Sequence, residues 1–395
     1  MDVLVLIDKL DELVHNAKAV PLTDQVRIDR EEIWEILDQM RATIPEEIKQ
    51  ARWIVKERQE MLGEAKREAE RIVMEAREIA QREASQQEVV RLAERQAQQI
   101  LDAAKQISAL TSKPFALNLF AGGYEPERRV DPAPMLELVG RVHAELELPP
   151  PVLPPNPYSP FDGQIAAVIE ARPAMFSFTF GIPAGDALAQ MRRAGILTSG
   201  TATTVEEVKA LADAGVDNVV CQGEEAGAHR GTFLKPFEQS MVPVRELVAD
   251  TLKAVPVPVI ASGGLMDGKD IAAMLKLGAA AAQLGTAFLP CPECGSPAIY
   301  KQAILNARAD TTVVTRAYSG RPARGLRNKF IDLAREQDIL PFGQQNDLTR
   351  PMRGEAGKKG VADYLSLWAG KSVTRARQMP AAELVKILVD EIALA

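Results

Sequence analysis

A glycine-rich stretch that carries one histidine is the part of this sequence best suited to chemistry. It runs from Gln222 to Gly231 and directly follows an apolar segment, Asn218–Cys221, that is typical of a buried β-strand. In parallel sheets, ligands bind beyond the carboxyl ends of the strands. Glycine lets the main chain come close to a ligand, and histidine can accept or pass on a proton near neutral pH. His229 is therefore the candidate catalytic residue, and a purely structural histidine is the alternative.

Two further glycine-bearing turns follow the next two apolar segments along the chain. Gly263 and Gly264 stand in the first turn, and Gly285 and Thr286 stand in the second. Backbone N–H groups at such turns bind phosphate, and a threonine adds a hydroxyl. One glycine pair alone is usually only a turn, but two such turns at consecutive strand ends indicate a phosphate site.

The elements that must position these turns alternate between strand and helix. We predict strands at Phe115–Phe120, Met175–Phe180, Ile196–Ser199, Asn218–Cys221, Val257–Ala261 and Ala281–Leu284. We predict helices at Pro132–Leu146, Phe161–Arg172, Gly185–Ala194, Val205–Ala214, Val242–Ala254 and Gly268–Leu277. This alternation indicates an α/β fold with a parallel sheet covered by helices. A TIM-type (β/α)8 barrel needs eight strands, so six predict a barrel that lacks its first two.

The N-terminal part of the chain has a different composition. Residues 1–105 are rich in strong helix formers, and a narrow stripe of small and apolar residues includes Ala65, Ala69 and Ile72. So narrow a stripe needs a partner helix, which predicts a coiled coil; a single solvated helix is the alternative. We expect a helical coiled-coil segment over 1–105 and the barrel over 106–395, with a C-terminal helical cover from about residue 318. The proline-rich run 147–160 is predicted to cross the barrel surface.

Overall composition excludes several classes of protein. A net charge of -7 argues against a general nucleic-acid binder, and no apolar stretch is long enough to span a membrane. Three cysteines do not form a disulfide framework, so a reducing cytoplasm is expected. Cys291 and Cys294 have the spacing of a zinc or redox site, but no second pair completes a zinc set, so no metal is predicted. The basic run Arg321–Arg327 is expected to pack against the C-terminal helices with its charged ends solvated.

The motifs together resemble those of class I nitronate monooxygenases, formerly called 2-nitropropane dioxygenases. The resemblance begins near Gln106–Ala109 and extends along the rest of the chain. The matching stretches are Lys113–Phe120, Phe176–Pro183, Gly200–Asp217, Gln222–Gly231, Ser262–Leu265, Gln283–Leu289, Tyr318–Asn328 and Ser366–Gly370. The resemblance implies an enzyme that uses FMN and O2 to convert small alkyl nitronates or nitroalkanes to a carbonyl compound and nitrite, without a metal.

The resemblance also assigns residues. It places the FMN phosphate on Gly263, Gly264, Gly285 and Thr286 and gives His229 a role in proton handling or substrate orientation. It places Gln222 and Gly223 near the flavin, adds Gln283 to the cofactor site, and makes Gln345 and Asn346 part of a segment that covers the pocket.

One departure from the family is large. The first two barrel strands, which carry family motifs, have no counterpart here, and residues 1–105 instead resemble an actinobacterial coiled-coil family similar to the B subunit of ATP synthase. The resemblance therefore implies a truncated barrel joined to a coiled coil, through whose helix the chain is expected to self-associate. Two alternatives stay open: a coiled-coil scaffold with an inert barrel fragment, and a flavin-dependent enoyl-acyl-carrier-protein reductase.

Overall fold

The computed structural model describes residues 3–121, 130–154 and 161–395. The chain forms two compact units, Met1–Ala84 and Ser85–Ala395. Among the described residues, no helix has the length and apolar character that a membrane span requires.

The first unit is mostly helical. It contains α1 (Val3–His15), a short antiparallel pair formed by β1 (Lys18–Ala19) and β2 (Val26–Arg27), and the first part of α2 (Arg30–Leu110). Leu6 of α1 is fully buried. The unit therefore consists of two helices joined by a small hairpin.

The predicted long N-terminal helix is present as α2. Glutamate, arginine and alanine favour it, and Arg71 lies within 2.7 Å of Glu75, one helical turn away. The large apolar side chains Met61 and Ile72 are more than half exposed. These exposed groups are those that a partner helix would bury, and coiled-coil pairing stays a prediction.

The second unit is built on a six-stranded parallel sheet, as the sequence predicted. In spatial order the strands are β3 (Ala116–Phe120), β4 (Met175–Thr179), β5 (Leu197–Ala202), β6 (Asn218–Gln222), β8 (Val259–Ser262) and β9 (Ala281–Gln283). Each agrees with its predicted strand to within three residues at either end. The sheet is curled like part of a TIM-type barrel, and β3 and β9 lie at its edges.

Helices connect these strands and cover the sheet. They are α4 (Phe161–Ala171), α5 (Ala187–Arg193), α6 (Val205–Asp213), α7 (Val244–Ala254) and α8 (Gly268–Leu277). Thr204 caps α6, and Asp267 begins α8 with a capping box that satisfies its first N–H groups. Phe176, Leu211 and Val219 belong to the apolar core between strands and helices. The last turns of α2 belong to this unit, since Ile100 packs on the same core.

A second apolar core is formed mainly by the C-terminal part of the chain. Its helices are α3 (Ala133–Glu145), α9 (Ala298–Leu305), α10 (Lys329–Leu333) and α11 (Gln344–Lys359), while α12 (Ala381–Leu394) packs on α8. An antiparallel sheet of β7 (Ala228–His229), β10 (Thr312–Thr315) and β11 (Ala323–Leu326) accompanies them. This sheet was not predicted from the sequence, although the β-branched run at residues 311–315 is typical of a strand.

Two predictions about loops had different outcomes. Residues 148–154 of the proline-rich run are neither helix nor strand, as predicted, and residues 155–160 lie outside the described residues. The prediction that Arg321–Arg327 keeps its charged ends solvated was wrong for most of the run. Arg321 and Arg324 are buried, because the Arg321 guanidinium stacks on the Phe180 ring and Arg324 Nε donates to the Glu224 carbonyl oxygen.

Candidate active site

A cavity of about 440 Å³ opens at the carboxyl ends of the parallel strands. Gln222, Ser262 and Gln283 lie side by side across β6, β8 and β9 and border it. The cavity is within the size range of small-molecule and cofactor sites. Of the predicted catalytic and cofactor-binding residues, all except Gly223 line it: Gln222, His229, Gly263, Gly264, Gln283, Gly285 and Thr286.

The turn after β8 supplies main-chain N–H groups to one side of this cavity. Gly263 and Gly264 have φ values of 116° and 71°, which side chains other than glycine rarely adopt. A Cβ added to Gly264 would also lie 2.9 Å from the Glu225 Cβ. Among the described residues, no acceptor bonds the Gly264 N–H group. The turn can therefore donate a main-chain hydrogen bond to a ligand.

The turn after β9 completes this side, which we call the glycine side of the cavity and define by Gly263, Gly264, Gly285 and Thr286. A Cβ added to Gly285 would meet no atom within 4 Å. The Thr286 hydroxyl accepts a 3.0 Å hydrogen bond from the Gly370 N–H group, so its own proton remains available for a ligand. This side thus combines open space with donors, as an anion requires.

Two predicted residues, Gln222 and Gly223, stabilise the loop that carries His229. The Gln222 side-chain amide donates to the His229 carbonyl oxygen (2.9 Å) and accepts from the Gly231 N–H group (2.8 Å). It therefore holds the histidine loop at both ends. Gly223 lies behind the cavity lining, where a Cβ would approach the Val244 Cβ to 2.4 Å, so it serves close packing of the loop.

His229 is held at a defined orientation and protonation. Its Nε2 atom lies 2.8 Å from the Ser319 hydroxyl oxygen. That hydroxyl donates its own proton to the Arg321 carbonyl oxygen, which can only accept. With its proton on that carbonyl, Ser319 accepts at His229, an arrangement in which Nε2 carries the imidazole proton and Nδ1 is an acceptor.

The surroundings of His229 keep it neutral. Burial lowers its pKa to about 4, and the positive charges of Arg321 and Arg353 act in the same direction. A neutral imidazole with a free Nδ1 lone pair can accept a proton at pH 7. The same two charges favour a negatively charged ligand at this place.

Four aromatic rings surround the imidazole; Phe120 and Trp368 line the cavity, whereas Phe180 and Phe342 contact the imidazole without lining the cavity. We call this group the aromatic side of the cavity. Their ring centres lie 5.6–6.1 Å from that of His229, and they belong to Phe120, Phe180, Phe342 and Trp368. Phe180 has a φ of 77°, a strained value for a bulky residue. Its ring is held between the Phe120 ring (4.7 Å) and the Arg321 guanidinium (3.9 Å). Where Phe120 and Trp368 line the cavity, they give it an apolar surface beside His229.

Two buried charged residues anchor the loop that carries His229. The guanidinium of Arg230 donates to the carbonyl oxygens of Gly223 and Ser240. The carboxylate of Glu207 accepts from the Thr232 hydroxyl and the Phe233 N–H group on the far side of the loop. Satisfied bonds of this kind fix a loop, because breaking one would leave a charged group buried without its partner.

The segment expected to cover the pocket does contact His229 through Phe342, but not through Gln345 or Asn346. Gln345 is fully buried and donates to the Ala317 carbonyl oxygen, and neither residue lines the cavity. The C-terminal segment reaches the cavity elsewhere, through Trp368, Gly370 and Ser372.

No role was predicted for Ser319 or for the aromatic side, although the stretches that match the family contain Phe120, Phe180, Ser319 and Trp368. Phe342 lies outside those stretches but within residues 341–346, the segment that was expected to cover the pocket. Over the part of the chain that the structure describes, no group of three histidine, cysteine or acidic side chains is arranged to hold a metal ion.

Comparison with known proteins identifies the family of the chain. The Nitronate monooxygenase family model matches residues 65–391, a range that begins within α2, ahead of the start expected from the sequence. A probable nitronate monooxygenase of Staphylococcus haemolyticus is 36% identical over 292 residues, which are 73% of this chain and 82% of that protein. A probable nitronate monooxygenase of Staphylococcus aureus is 36% identical over 298 residues, 75% of this chain and 84% of that protein.

Two solved structures are also similar. The nitroalkane oxidase from Streptomyces ansochromogenes has a TM-score of 0.70 and 36% identity, over 75% of this chain and 86% of that one. FabK from Thermotoga maritima has a TM-score of 0.55 and 25% identity, over 74% and 81%. Because the family model covers most of the chain, this protein belongs to the nitronate monooxygenase family of oxidoreductases.

Proposed function

We propose that this chain uses FMN and O2 to oxidise alkyl nitronates to a carbonyl compound and nitrite. The observation that supports this most directly is a single cavity bordered by two glycine-bearing strand-end turns and a neutral histidine. Membership of the nitronate monooxygenase family supports the same activity.

FMN fits the glycine side of the cavity. Its phosphate would lie against Gly263, Gly264, Gly285 and Thr286, because they offer donors and leave room for an anion next to the main chain. Gln222 and Gln283 would border the FMN, and Gly223 would support the loop behind it. When bound, FMN would supply the electron transfer between substrate and oxygen.

The substrate would lie on the aromatic side. A small alkyl group suits the phenylalanine and tryptophan rings, and the charges of Arg321 and Arg353 favour the anionic nitronate. His229 would orient the substrate, and its Nδ1 atom would take the α proton if a neutral nitroalkane entered instead. Ser319 keeps that atom unprotonated by holding the other imidazole nitrogen in its N–H form.

The direct test uses the purified full-length chain. We expect it to take up FMN in a titration that follows the flavin's visible absorbance and fluorescence, and then to release nitrite from an alkyl nitronate while consuming O2. A chain that takes up no FMN would contradict the proposal and favour the scaffold alternative. Oxidation of a reduced nicotinamide cofactor by the FMN-loaded protein, without nitrite release from nitronate, would favour the reductase alternative.

The N-terminal helix supports a second, smaller proposal. We propose that the chain self-associates through α2 in the cytoplasm, because Met61 and Ile72 are exposed on it. Sedimentation of the full chain and of a Met61→Glu/Ile72→Glu variant tests this. A monomeric wild-type chain would rule it out.

A further inference from the structure

The Cys291–Cys294 turn lies between two elements that border the cavity. It follows the 3₁₀ helix Thr286–Phe288 and precedes α9. Cys294 N–H donates to the Cys291 carbonyl oxygen at 3.0 Å, which closes a β-turn, and Cys291 N–H donates to the Phe288 carbonyl oxygen at 3.2 Å. The Cα atoms at the ends of a β-turn are less than about 7 Å apart, and those of a disulfide are about 4.4–6.8 Å apart. The two cysteines can therefore be joined by a small adjustment of the turn.

The two thiols differ in a way that suits a two-step reaction. Cys294 is partly exposed, and although burial opposes its ionisation, hydrogen bonding with Ser296 and the charge of Lys301 hold its pKa below the ordinary value. Cys291 is buried, and burial together with the charges of Glu293 and Cys294 raises its pKa. Cys294 is thus the more exposed and the more readily ionised of the two thiols, and Cys291 is the thiol that can resolve an oxidised partner.

The turn is tied to the cofactor side of the cavity at several points. Lys301 Nζ donates to the carbonyl oxygens of Cys291 (2.8 Å) and Pro292 (3.1 Å) and so joins the turn to α9. Tyr300, the preceding residue of α9, lines the cavity. Cys291 also packs in one apolar cluster with Ala287, the neighbour of Thr286. Drawing Cys291 toward Cys294 would therefore disturb the turn that carries Thr286.

We propose that Cys291 and Cys294 form a peroxide-sensitive dithiol whose oxidation to a disulfide loosens the glycine side of the cavity. The Cys294 thiolate attacks a peroxide oxygen, breaking the O–O bond and giving a sulfenic acid and hydroxide. The Cys291 thiol then forms the S–S bond and displaces the sulfenic oxygen as water. Overall, two thiols are oxidised and one hydrogen peroxide is reduced to two waters.

The first experiment follows the disulfide itself and does not depend on FMN. The full-length chain is treated with hydrogen peroxide, remaining thiols are alkylated, and the digest is analysed by mass spectrometry. We expect one peptide that contains both cysteines and has lost two hydrogens, with full reversal by dithiothreitol. The loss should be absent in Cys291→Ser and Cys294→Ser. Cys221 is the internal control, because burial raises the pKa of its thiol to about 11, so it should stay reduced.

The second experiment measures the consequence, and this part rests on the proposed function. We expect the dissociation constant for FMN to rise at least about threefold on oxidation and to return on reduction, with no such change in Cys294→Ser. Sulfinic acid at Cys294 with Cys291 still reduced would overturn the dithiol. A disulfide that leaves FMN affinity unchanged would overturn the coupling to the cavity. A chain that forms the disulfide but never binds FMN would contradict the proposed function and leave the dithiol standing.

Discussion

The two sides of the cavity are built in different ways. The glycine side is made of main chain at the ends of β8 and β9, so each turn is complete within a few consecutive residues. The aromatic side is made of side chains that come from widely separated positions, such as Phe120, His229 and Trp368. A local main-chain site depends on the residue types in one turn, whereas an assembled side-chain site depends on the whole fold. Substitutions should therefore separate cofactor binding from turnover.

The largest expected effect is on the aromatic side. In His229→Ala we expect turnover of a neutral nitroalkane to fall about 10²- to 10⁴-fold, because the acceptor of its α proton is lost, while FMN affinity stays close to that of the wild type. Nitrite release and FMN titration of the same preparation give the two readouts. Unchanged turnover would remove His229 from the mechanism.

The reverse pattern is expected on the glycine side. Gly264→Val places a β-branched residue at a φ of 71° and a Cβ only 2.9 Å from the Glu225 Cβ. We expect FMN affinity to fall about 10- to 100-fold, from a local cost of about 1–3 kcal/mol. Fluorescence titration measures the affinity, and circular dichroism of the free protein checks that the sheet is retained. Undiminished retention of FMN would place the phosphate elsewhere.

Ser319 tests how the aromatic side is organised. In Ser319→Ala the Nε2–H group of His229 loses its acceptor, and we expect turnover to fall about tenfold as the imidazole loses its fixed proton position. Ser319→Thr keeps the hydroxyl and should recover much of the rate. Equal loss in both variants would assign Ser319 to packing rather than to orienting His229.

The pH dependence of turnover tests the protonation state of His229 on the same side. Since burial lowers the pKa of His229 to about 4, turnover should decline only as the pH approaches that value, and not near 6.5. The imidazole of the unfolded chain takes up a proton near pH 6.5, whereas the folded one does so near 4. This residue therefore makes the free energy of unfolding fall as the pH is lowered from about 6.5 to about 4. A pH–rate profile that breaks near 6.5 would contradict the neutral, buried histidine.

The smallest expected effect comes from Gly285→Ala, the variant that changes the structure least. Gly285→Ala adds one methyl group where no atom lies within 4 Å, at a φ of -117° that alanine readily adopts. The melting temperature without FMN should not fall, while FMN affinity should drop about three- to tenfold if the phosphate approaches this main chain. Unchanged affinity would separate Gly285 from the phosphate site.

This difference between the two sides also explains what the sequence could predict. The six strands, the helices between them and the three glycine-bearing turns follow from local patterns, so they were predicted. The placing of Phe342 and Ser319 beside His229 depends on β7, β10 and β11, which join residues about a hundred positions apart. Burial of Arg321 likewise depends on the Phe180 ring, which no local pattern reveals.

The hydrogen bond from Gly370 N–H to the Thr286 hydroxyl joins residues 84 positions apart. Because the ribosome synthesises the chain from its N-terminus, the turn at Thr286 emerges well before Gly370, which stabilises it. Until residue 370 has been synthesised, the turn at Thr286 lacks this hydrogen bond and the cavity is open to solvent. Cofactor loading is thus expected to follow translation of this last segment rather than accompany it.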